Sequence, residues 1–60
     1  MVSVEQETLL LQAQTARDLA QRAKRQAERV TNADDQTRLR SQAEQLVSRA
    51  EQLEAKAMTV

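Results

Sequence analysis

The chain is 60 residues long, its nine basic and nine acidic residues cancel, and it contains no glycine, proline, cysteine, histidine, phenylalanine, tryptophan or tyrosine. Those absences exclude a disulfide framework, a thiolate nucleophile, and the commonest metal ligand and general base. The neutral balance excludes a global field that would draw the chain onto nucleic acid or an anionic membrane. What remains, chiefly Ala, Gln, Arg, Glu and Leu, is the composition of long helices, so the expected fold class is all-α. A single domain of this size rarely gains more than about 3–5 kcal/mol from its own core.

Met1 and Val2 are expected to fray. Ser3 is the expected N-cap, because Gln6 stands three residues later as in a capping box of the form S-x-x-Q. The first helix is predicted over about residues 4–31. Glu5 and Glu7 suit the positive end of its dipole, and Lys24, Arg25 and Arg29 suit the negative end. Its contact stripe is the column Leu9, Ala13, Ala16, Ala20, Ala23, Ala27 and Val30, in steps of four and three. A stripe of methyl groups can be buried only by a second helix that comes close.

The phase of that column breaks after Val30, and the turn is predicted at about residues 31–34. Asn32 either tolerates a left-handed conformation at the end of the first helix or caps the start of the second. Asp34 and Asp35 then fall in the first turn of a helix predicted over about residues 34–58. A second column, Leu39, Ala43, Leu46, Ala50, Leu53, Ala57 and Val60, repeats the same alternation. So short a connection forces antiparallel neighbours, with facing residue numbers summing to roughly 66 or 67. Ala20 then falls near Leu46, Ala13 near Leu53 and Ala27 near Leu39, while Ala16 and Ala23 meet Ala50 and Ala43. The expectation is one antiparallel two-helix hairpin over residues 1–60, an alanine-rich coiled coil of the Alacoil kind, with dimerisation to a four-helix bundle.

Candidate chemistry is sparse. The carboxylates spread over exposed helical positions, whereas acid–base catalysis needs a perturbed pKa in a sheltered cleft; the chain reads as no enzyme, with no cofactor. Asp34 and Asp35 read as dipole-matched acids rather than a metal site, since hard cations need more converging oxygens. Arg17 is expected to pair across the helices with Glu51 and Glu54. Outside the seam stand Val4, Leu10, Leu11, Leu19, Val47 and Met58, all in the half away from the turn. Val4, Leu11 and Leu19 lie on one flank of the first helix with Thr8 and Thr15. Leu10 lies on the other, toward Val47 and Met58. Leu10, Leu11, Leu19, Val47 and Met58 are the candidate partner-binding residues, for another helical protein or a second copy as a homodimer.

Arg22, Arg25, Arg29, Arg38 and Arg40 gather near the turn, and Asn32-Ala33-Asp34-Asp35-Gln36 resembles the turn of Rop-like RNA-binding hairpins. A nucleic-acid site on these arginines is the lesser alternative, because no aromatic is present to stack on a base and Glu28, Asp34 and Asp35 dilute the charge. The longest strongly apolar run, Leu9-Leu10-Leu11, falls far short of the roughly 20 residues that span a bilayer. With no signal-like N-terminus, the expectation is a soluble, intracellular chain, cytoplasmic in location.

One family resemblance rests on Leu46-Val47-Ser48-Arg49-Ala50-Glu51-Gln52-Leu53, an L-x-x-R-A-E-x-L pattern that is similar to the last helix of MIT (microtubule-interacting and trafficking) domains. Ala16-Arg17-Asp18-Leu19-Ala20-Gln21-Arg22-Ala23 similarly resembles the first MIT helix. The resemblance implies a module that binds helical tails of ESCRT-III-type partners. The tyrosine-bearing middle helix of that family has no counterpart here.

Overall fold

The computed structural model describes residues 3–60; the expectation for Met1 and Val2 lies outside them. Two helices make up the fold, α1 over Val4–Arg29 and α2 over Ala33–Thr59, packed as an antiparallel hairpin whose Cα atoms span 47 × 14 × 9 Å.

Both helices start on side-chain caps. The Ser3 hydroxyl accepts the Gln6 backbone N–H at 3.1 Å, but the reciprocal half of the capping box does not form. The Gln6 amide instead donates to the Ala57 carbonyl at 3.1 Å, across the helix pair and 51 residues along the chain. It thereby ties the start of α1 to an orphan carbonyl in the last turn of α2.

α1 ends at Arg29 because Val30 turns extended, at φ −84° and ψ 133°. Asn32 is the cap of α2, at φ −77°, and its Oδ1 accepts from the backbone N–H groups of Asp34 at 2.9 Å and Asp35 at 3.2 Å. No described residue has a positive φ, so of the two roles open to Asn32 the structure uses capping. The Gln36 side chain then donates to the Val30 carbonyl at 2.5 Å. Residues 30–32 thus connect the helices, with the Val30 N–H donating to the Gln26 carbonyl and the Asn32 carbonyl accepting from the Gln36 N–H.

The buried core of the described residues is alanine alone: Ala13, Ala16, Ala20, Ala23 and Ala27 of α1 against Ala43, Ala50 and Ala57 of α2. Ala13, Ala16 and Ala50 form one cluster, onto which Leu53 packs. Ala20, Ala23 and Ala43 form another, covered by Leu46 and Val47. These groupings are the ones a hairpin register near 66 produces.

The seam leucines Leu9, Leu39, Leu46 and Leu53 are only half-buried. With the helices drawn together by facing methyls, a longer side chain extends past the contact line onto the edge of the pair. Val60 departs from the expected seam. It is the C-cap of α2 and 49% exposed.

Candidate interaction surfaces

Two long edges remain where α1 and α2 meet, and they differ in chemistry. On the first edge, Thr8, Leu11, Thr15 and Leu19 of α1 face Leu46 and Arg49 of α2 across one stretch of groove. The next stretch shares Leu19 and Leu46 and adds Arg22, Arg25, Arg29 and Gln42. A third, toward the turn, shares Gln26 and Gln42 and adds Asp35, Arg38 and Leu39. The shared residues make this one continuous groove. Its floor is apolar at the open end, and its rim is arginine toward the turn.

The hydroxyls along this groove are already paired. Thr8 donates to the Val4 carbonyl at 2.9 Å and Thr15 to the Leu11 carbonyl at 3.1 Å, so neither needs a partner's hydrogen bond. Leu11 is 70% exposed and Leu19 44%.

The second edge carries the bridge between the helices. Arg17 Nε donates to Glu54 Oε2 at 3.1 Å, and its Nη2 donates to Oε1 at 2.5 Å. The hydrogen bond to Arg17 holds the Glu54 carboxyl below the ordinary carboxylate range against a partial loss of hydration, and the same bond raises Arg17. Glu51 makes no ion pair with Arg17; it acts on that guanidinium only through its charge.

Leu10 stands seven residues before Arg17, Val47 seven before Glu54, and Met58 four after it, so all three share the bridge edge by helical repeat. Met58 is 84% exposed. Val47 is different, because it is half-buried against the Ala20–Ala23–Ala43 cluster. Toward the turn this edge bears Lys24 and Arg40 together with Glu28 and Glu44.

The five arginines considered for nucleic acid therefore do not share one surface. Arg22, Arg25 and Arg29 border the first groove, Arg38 reaches Asp35 at 3.4 Å, and Arg40 lies among the carboxylates of the other edge. Among the described residues no group of three or more Asp, Glu, His or Cys converges, and no described helix is long and apolar enough to cross a membrane.

No protein-family model, curated protein or solved structure matches the chain. Its own geometry is thus the ground for a functional reading.

That geometry adds Leu46 and Arg49 to the candidate residues. For Arg49 the signal was present as a second column of α2, Asp35, Arg38, Gln42, Gln45, Arg49 and Gln52, in the same steps of three and four as the seam. Its polarity hides it from a reading that looks only for apolar periodicity.

Proposed function

We propose that the hairpin is a non-catalytic helical interaction module that associates with a second copy of itself, pairing two alanine-rich coiled-coil hairpins into a four-helix bundle. One observation carries this reading. A globular monomer of 6.8 kDa exposes about 4,000 Å², whereas this chain exposes 4869 Å². The excess of about 900 Å² is close to what one partner contributes to an interface of standard size.

The bridge edge suits a second copy. A two-fold interface is self-complementary, and this edge offers both signs of charge toward the turn, Lys24 and Arg40 beside Glu28 and Glu44, and the exposed Leu10 and Met58 toward its open end. The core supports the same reading, because eight alanine methyls bury little area each and every further apolar contact adds stability in proportion to area.

The RNA-binding alternative draws less support, since Arg40 is separated from Arg22, Arg25 and Arg29. The MIT-like alternative would need a third helix, and the described residues contain two. Sedimentation equilibrium tests the proposal: a dimer at micromolar to high-micromolar concentration is expected, and a monomer throughout that range overturns it.

A further inference from the structure

Charge is distributed unequally over the two edges although the chain is neutral. Along the groove beside Leu19, five arginines (Arg22, Arg25, Arg29, Arg38 and Arg49) meet one carboxylate, Asp35. That carboxylate sits at the turn end and faces Arg38 at 3.4 Å. Across the molecule the opposite edge is balanced, with Lys24 and Arg40 beside Glu28 and Glu44 and Arg17 paired to Glu54.

We infer that the Leu11–Leu19–Leu46 groove is the docking site for an acidic amphipathic helix of a partner protein. Three half-buried or exposed leucines offer the floor that such a helix's apolar stripe requires. Arg22, Arg29 and Arg49 offer the rim that its carboxylates require, and complementary potentials of this kind select partners and suppress wrong ones. A second copy suits this groove less well, because it brings the same excess of arginine and only one carboxylate to answer it. From Thr8 to Arg29 the groove runs about 30 Å, at the rise of an α-helix, which accommodates roughly twenty residues of partner helix.

This inference rests on the interaction-module reading, yet uses the edge opposite to the self-association face, so the two fail separately. The probe is a fluorescein-labelled synthetic 21-residue helix with leucine at a and d and glutamate at e and g; its control carries lysine at e and g. Anisotropy titrations with the full 60-residue chain at low salt are expected to show at least about tenfold preference for the glutamate helix. The preference should shrink as ionic strength rises. The double variant Arg22→Glu, Arg49→Glu should reverse it, and Leu19→Asp should remove binding of both helices while the circular dichroism of the hairpin stays helical. Equal affinity for the two helices, no binding of either, or a charge reversal without effect overturns the inference, whatever sedimentation says of self-association. Saturable binding of an RNA hairpin that competes with the glutamate helix also overturns it, since the arginine rim would then serve phosphates.

Discussion

Arg17 and Glu54, 37 residues apart in the chain, meet in a two-pronged contact at 3.1 and 2.5 Å, with both side chains about two-fifths exposed. The guanidinium fork matches the two carboxylate oxygens, and this pair joins the middle of α1 to the last third of α2. Its strength depends on the charge of Glu54 and therefore on pH.

Because the hydrogen bond to Arg17 lowers the pKa of Glu54 in the folded chain, the unfolded chain binds its proton first as pH falls. The stabilisation is therefore fully present above the ordinary carboxylate range and is lost as pH drops through the lowered, folded value. Urea midpoints measured against pH should fall on that acid limb. Glu54→Gln should lower the midpoint at neutral pH and remove this part of the pH dependence, while ¹³C-detected titration of the Glu54 carboxyl should give a midpoint below the ordinary carboxylate range.

Ala20 is 2% exposed and sits in the cluster with Ala23 and Ala43. Ala20→Leu inserts three extra carbons where methyls face one another, and should destabilise the hairpin by about 1–3 kcal/mol through overpacking. Thermal melts followed by circular dichroism measure it; an unchanged or raised midpoint would mean that the helices are not closely apposed at this layer.

Asn32 holds two backbone N–H groups of α2 at once. Asn32→Ala should cost about 1 kcal/mol, and Asn32→Ser or Asn32→Asp should keep most of that stability, since their oxygens also cap. Chemical denaturation of the three variants gives the comparison.

Leu10 and Met58 are exposed on the bridge edge, away from the alanine clusters. Leu10→Asp with Met58→Asp should shift sedimentation equilibrium toward monomer without loss of helical signal at concentrations where the parent chain is folded. An unchanged assembly would place self-association elsewhere.

Much of this architecture was legible in the amino-acid sequence, because alanine at heptad spacing admits one physical use, close apposition, and the break in phase after Val30 locates the turn. The pairing of Ala16 with Ala50 and of Ala23 with Ala43 follows from that geometry alone. What was illegible involves side chains with a choice of partner. Gln6 could close a local cap or reach the Ala57 carbonyl, and only the assembled pair puts that carbonyl within range. Val47 lies outside the heptad column, yet it is drawn onto the Ala20 cluster because small residues leave room beside them. Helical angle turns the arginines of α1 away from the alanine seam, yet Arg22, Arg25 and Arg29 border the groove, since a guanidinium can lie several ångströms from where its Cα points.

A core built only of methyl groups also has a mechanical consequence. Each layer resembles the layer seven residues away, so a sliding displacement of one heptad along the axis would meet nearly the same surface, and the alanines supply no detent against it. What stops the slide is placed outside the core: the link from Gln6 to Ala57 at one end, the Arg17–Glu54 clasp partway along, and the short connection of residues 30–32 at the other end. Loosening the turn with an inserted flexible segment, in a chain that also lacks Arg17 and Gln6, would turn a hairpin with one alignment into a set of interchangeable ones.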